Sequence, residues 1–118
     1  MKFSTSLKLN HIFRRLYATQ GFANSYLVLY VRKNRLNTNR VGITVSKKLG
    51  GAVVRNRVRR RIREVYRLHE SLVTPGWDIV AVARSRAVDA PFSKLADAYL
   101  SLAGKAVILV STQEETAL

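Results

Sequence analysis

The chain has 118 residues, no cysteine, and 21 Lys and Arg against 7 Asp and Glu, a formal net charge of +14. An apolar content of 47% supplies a core for one domain over 1–118 and excludes global disorder despite the charge. Absent thiols exclude disulfides and thiolate zinc sites, and no apolar run reaches the ~18 residues of a membrane-spanning helix.

The N-terminal stretch MKFSTSLKLNHIFRR lacks the apolar h-region of a signal peptide, so none is expected. Residues 1–8 read as a flexible arm. Asn10 is a candidate N-cap for a short helix running to about Thr19, with Ile12, Phe13, Leu16 and Tyr17 at helical spacing and Gly21 beyond its end. Tyr26–Val31 has the β-branched and aromatic content of a strand, with Leu27, Leu29 and Val31 on one side and Tyr26, Val28 and Tyr30 on the other. A polar turn over 33–39 leads to a second strand, Arg40–Val45, expected as the antiparallel hairpin partner of the first. Val41, Ile43 and Val45 enter its core, while Arg40, Gly42 and Thr44 face away.

Gly50-Gly51 breaks the chain, and a helical pattern follows from Ala52 to about Ser71. Val54, Val58, Ile62 and Val65 make one apolar stripe. Arg55, Asn56, Arg59, Arg60, Arg63 and Arg67 fall on the opposite arc. Arg61 lies at the stripe's edge, where it snorkels, and Glu64 is placed to pair with Arg60. After the Pro75-Gly76 turn, Trp77–Ala83 is a third strand, and strand–helix–strand implies a parallel βαβ unit. Asp89-Ala90-Pro91 opens a last helix with Leu95, Tyr99 and Leu102 inward. Past Gly104, residues 106–110 either continue it or extend, and 111–118 read as a flexible tail. The architecture is α+β, a two-layer α/β sandwich in the order α-β-β(-β)-α-β-α.

Charge concentrates from Ser46 to Arg67, where nine Lys or Arg face one acid, Glu64, within 22 residues. Such a density is self-repelling, so a polyanion is the expected partner: nucleic acid first, an anionic membrane surface second, an acidic protein third. A membrane role would need the basic arc backed by an exposed apolar face, whereas here the core needs that stripe. The planar fork of arginine suits phosphate, and an arc of them can track an RNA backbone. His11 and His69 lie far apart with no metal-ligand spacing, and the seven acids are scattered. No side-chain nuclease site is therefore expected, and His69 beside Glu70 reads as a surface pair. No small-molecule substrate is indicated.

The run Arg40-Val41-Gly42-Ile43-Thr44-Val45-Ser46-Lys47-Lys48-Leu49-Gly50-Gly51-Ala52-Val53-Val54-Arg55-Asn56-Arg57, with the basic residues after it, resembles the protein subunit of bacterial ribonuclease P. Weaker matches at Leu9–Tyr17, Leu27–Tyr30 and Trp77–Val80 extend the resemblance over about residues 7–105. Gly51 and Arg61 depart from the family's usual residues, and the arm carries only Lys2 and Lys8 as basic groups.

The resemblance implies a bacterial, cytoplasmic ribonucleoprotein in which a catalytic RNA removes the 5′ leader of precursor tRNA with Mg2+. The protein itself would bind no metal or other cofactor. It implies that Lys47, Arg55, Asn56, Arg57, Arg59, Arg60, Arg63 and Arg67 bind the catalytic RNA. The single-stranded leader would lie between the first helix and the sheet, on Phe13, Tyr17, Val28, Tyr30, Thr44 and Lys48. It also implies a left-handed βαβ crossover, against the general right-handed rule. Aromatic platforms with a basic groove suit single strands, yet Phe13 and Tyr17 at this spacing also read as core packing, and Tyr26 reads equally as either. A basic ribosomal or RNA-chaperone protein without a nuclease role is the alternative.

Overall fold

A computed structural model describes residues 4–6, 10–17, 19 and 21–106, with side chains at 14–17, 19 and 21–106. In chain order these form strand β1 (Ser4–Ser6), helix α1 (Asn10–Tyr17), strands β2 (Gly21–Ala23), β3 (Leu27–Lys33) and β4 (Asn39–Thr44), helix α2 (Ala52–Leu68), strand β5 (Trp77–Ala83) and helix α3 (Phe92–Lys105). Part of the expected N-terminal arm is thus an edge strand: β1 runs parallel to β4, with Ser4 opposite Asn39. The expected tail, 111–118, lies outside the described residues, as do 107–110.

The five strands form one sheet in the order β1-β4-β5-β3-β2. The expected β3–β4 hairpin does not form, because β5 stands between them, antiparallel to β3 and parallel to β4. The physical reason lies in β5 itself. Ile79, Val80 and Ala81 are all buried, so this strand is apolar on both faces and takes the centre of the sheet. The turn over 34–38 therefore spans the width of a strand instead of closing a ladder. Asn34 ties it to β5, donating its backbone N–H to the Gly76 carbonyl at 2.9 Å and its side-chain amide to Asp78 Oδ1 at 3.0 Å. The expected parallel β4-α2-β5 unit is present.

One face of the sheet carries the main core. Leu27, Leu29, Val41, Ile79 and Ala81 meet Val58, Ile62 and Val65 of α2 and Leu95, Tyr99 and Leu102 of α3. These are the stripes that period 2 and period 3.6 predict, and they make the two layers of the sandwich. Tyr66, packed edge-on against Tyr99 at 6.2 Å, joins the core beside the predicted α2 stripe. Helix α2 ends at Leu68, short of Ser71, and a 3-10 turn at Glu70–Leu72 follows. Glu70 is buried there and not on the surface as expected, and His69 directs Nδ1 to the Val65 carbonyl at 2.7 Å. Pro91 caps α3, which starts one residue later.

Helix α1 lies on the opposite face, where Leu16 is fully buried on Val80 with Tyr30 and Val82 alongside. It covers only part of that face.

Candidate nucleic-acid interface

The register across the sheet sets which side chains share the α1 face. Val28, Val82 and Thr44 lie opposite one another in one row; Tyr30, Val80 and Gly42 form the next; Arg32, Asp78 and Arg40 form the third. Leu16 sits on the middle row. From the end of α1, Tyr17 reaches over the first row, and its hydroxyl lies 3.0 Å from Thr44 Oγ1. Its ring meets Tyr30 edge-on, with centroids 5.2 Å apart and planes at 83°. Gly21 makes room for this pair, since a Cβ there would come within 2.8 Å of the Tyr30 ring.

The structure thus brings together Tyr17, Tyr30 and Thr44, with half-buried Val28 in the same row as Thr44. Tyr17 is 42% exposed, with its ring edge-on to Tyr30 and its hydroxyl held at Thr44. This is not the core packing that spacing alone also allowed. Lys48 stands exposed in the 3-10 turn Lys47–Leu49 that leads from β4 to α2. The turn is fixed by Ser46, whose Oγ accepts the Lys48 N–H at 3.2 Å. Phe13 lies on α1, with its side chain outside the described residues.

Tyr26 departs from the expected face. Asn24 accepts the N–H groups of Tyr26 and Leu27 through Oδ1, at 3.0 and 2.9 Å, which bends the chain before β3 begins. Tyr26 consequently packs against the main core, under the Arg86 guanidinium at 5.9 Å.

Helix α2 presents the basic arc. Asn56, Arg57, Arg60, Arg63 and Arg67 are exposed, and Arg55 and Arg59 half-buried, while Val58, Ile62 and Val65 anchor the other side. Lys47 is exposed just ahead of the helix. Asn56 Oδ1 accepts from the Arg59 guanidinium at 3.0 Å. Arg67 donates to Glu64 at 2.9 and 2.5 Å, and the expected Glu64–Arg60 pair does not form. A glutamate one turn ahead of its arginine complements the helix dipole, which favours this partner. The same bonds hold the Glu64 carboxyl below the usual carboxylate range and Arg67 above the arginine one. Arg67 is therefore partly engaged within the protein. Arg61 snorkels as expected, donating to the Ala90 carbonyl.

The third row contains an ion pair that sequence spacing did not indicate. Arg40 Nε and Nη2 each donate to Asp78 at 2.7 Å, which raises Arg40 above the ordinary arginine value. Period 2 placed Arg40 on this face, but the pairing depends on β5 being its neighbour. Among the described residues no three His, Asp or Glu side chains group as metal ligands, and no helix is long and apolar enough to cross a membrane.

These features define a small basic α/β protein with two separated surfaces, an arginine arc on α2 and an aromatic groove beside α1. The chain belongs to the ribonuclease P protein family, whose model, described as Ribonuclease P, matches residues 1–107. It is 45% identical over 113 residues to a ribonuclease P protein component from Lachnoclostridium phytofermentans, covering 95% of this chain and 97% of that one. It is 50% identical over 91 residues to the component from Clostridioides difficile, covering 75% and 80%. Among solved structures, the RNase P protein of Staphylococcus aureus superposes with a TM-score of 0.80 at 34% identity, over 88% of this chain and 96% of that one. The RNase P protein from Thermotoga maritima gives 0.75 at 29% identity, over 82% and 93%.

Proposed function

We propose that this chain is the protein component of a cytoplasmic ribonuclease P ribonucleoprotein that binds the catalytic RNA through α2 and the 5′ leader of precursor tRNA through the groove beside α1. The observation that carries the reading is the convergence of Tyr17, Tyr30 and Thr44 on the sheet face opposite α2. Charge alone would have placed every RNA contact on the basic helix. An exposed aromatic ring beside hydrogen-bonding groups is instead a platform for an unstacked base. The arginine arc tracks phosphates of a structured RNA, with affinity that falls steeply with salt.

The protein's own groups support assistance in place of catalysis. Asp78 is engaged by Arg40 and Asn34, Glu64 by Arg67, and Glu70 is buried. None of these acids is free to act as a general base in the groove. Mg2+ in this reading would be held by the RNA and would supply Lewis-acid chemistry there, and no protein side chain is assigned to hold it. The protein side chains bind and orient the RNA partners.

Tyr17→Ala tests the leader assignment. In holoenzyme reconstituted with the cognate catalytic RNA, it is expected to weaken binding of leader-bearing precursor by roughly 1–3 kcal/mol, the worth of one stacked base. Binding of leaderless tRNA should be unchanged. Equal losses on both substrates would remove the groove from leader binding.

A further inference from the structure

On the far side of Leu16 from the aromatic groove, the third row of the sheet opens into a cleft of about 540 Å3. Four elements bring arginines to it: Arg15 from α1, Arg32 from β3, Arg35 from the turn before β4 and Arg40 from β4 itself. The acid in its wall, Asp78, is 4% exposed and already satisfied by Arg40 and Asn34. Among the described residues, Arg15, Arg32 and Arg35 pair with no carboxylate. Lys33 also lines the cleft, with its Nζ over the Trp77 ring at 5.7 Å. The turn also holds Arg35 at a φ of 63°, a conformation that favours glycine or asparagine. Leu36 N–H donating to Asn34 Oδ1 at 2.7 Å fixes it there. Unneutralised guanidinium groups converging from three elements on one concavity repel each other, and an anion between them removes that repulsion.

We infer that this cleft is a second phosphate site, which holds the phosphodiester backbone of the leader's 5′ portion beyond the aromatic groove. The inference rests on the leader reading above. It draws its direction from the sheet. Strand β4 runs from Arg40 toward Thr44 and then through Lys47 and Lys48 into α2, so the aromatic row adjoins the helix assigned to the catalytic RNA. The leader's 3′ end, where it joins the tRNA, lies at that end. The arginine cleft lies at the opposite end of the same face, about 13 Å away along the strand. Leu16 on Val80 separates the two, so the leader must be long enough to pass the end of α1 before its phosphates reach Arg32 and Arg35. An RNA contacting α2 alone lies against the other layer of the sandwich and does not reach the cleft.

The test is a leader-length series bound to reconstituted holoenzyme. Leaders of about two and about ten nucleotides fall below and within the ~4–16 nucleotides that single-strand folds cover. Arg32→Gln with Arg35→Asn, the latter tolerant of the positive φ, is expected to weaken the long-leader precursor about tenfold. The slope of log affinity against log salt should fall by about 0.7 per lost phosphate contact. The short-leader precursor and the affinity for the catalytic RNA alone should be unchanged, with the same melting temperature as the parent. Arg32→Lys with Arg35→Lys should restore most of the salt slope. Three results would overturn the inference: no loss with the long leader, equal loss with both leaders, or weaker binding of the catalytic RNA itself, which would assign the cleft to that RNA. If the parent holoenzyme shows no dependence on leader length and Tyr17→Ala is equally silent, the leader reading falls and this site falls with it. If Tyr17→Ala is leader-selective while the arginine variants are silent, only the second site is lost.

Discussion

Arg55 carries a charge that the fold does not use. Its Nε is buried without an acceptor, and a buried unpaired donor costs about 1–3 kcal/mol. Val58, one turn further along the same helix, is fully buried and anchors it without any such cost. Replacing Arg55 with methionine keeps the apolar stem and removes the donor. Thermal melting of Arg55→Met is expected at or above the parent value, while affinity for the catalytic RNA falls by roughly 1–3 kcal/mol for the lost charge-assisted bonds. Arg57→Ala, at an exposed position, should lose comparable affinity with no change in melting. Binding at moderate salt together with calorimetry checks both. Unchanged affinity for either variant would remove it from the RNA surface. Individual contacts were legible in the sequence where one period governs them. Tyr30 and Thr44 follow from alternation along two strands, whereas helical spacing put Tyr17 on a face of α1 without telling groove from core. Tyr26 was not, because a side-chain bond from Asn24 redirects the backbone before the strand starts, and hydrophobic pattern carries no trace of it.

The two glycines before α2 differ in kind, although the sequence shows them as one break. Gly50 has φ 149°, and a Cβ there would meet Val54 Cβ at 2.9 Å, so the first turn of α2 rests directly on it. Gly51 is the N-cap of α2 with φ −72°, and nothing lies within 4 Å of a Cβ. Gly50→Ala should therefore destabilise the protein by about 1–3 kcal/mol, through backbone strain and displacement of Val54. Gly51→Ser should be neutral or stabilising by a few tenths of a kcal/mol, since serine can accept a free N–H of the first turn. Urea unfolding of the two variants measures both, and equal effects would contradict the separate roles. The elements themselves were readable because propensity, turn residues and periodicity agree along the chain. The sheet order was not. Local pattern favours β3 and β4 as a hairpin, but the strand buried on both faces comes 33 residues after β4 ends and claims the place between them. The Arg40–Asp78 pair and the cleft beside it follow from that order, so they too were hidden.

At the scale of the molecule, a net charge of +14 says that a polyanion binds but not where. The sandwich divides the task. Helix α2 and α3 cover one face of the sheet, and α2 turns its arginines outward. Helix α1 covers the other face only in part and leaves aromatic and basic grooves on either side of Leu16. In the proposed holoenzyme the protein would add binding surface for the leader and cationic charge near the RNA, and both would reduce the metal concentration that the RNA needs. Cleavage of leader-bearing precursor tRNA at low magnesium, with protein alone, catalytic RNA alone and the two together, tests this most directly. The mixture is expected to cleave at least about tenfold faster than the RNA alone, a gain of roughly 1.4 kcal/mol or more, and the protein alone should not cleave. Cleavage by the protein alone, or a mixture no faster than the RNA, would contradict the account.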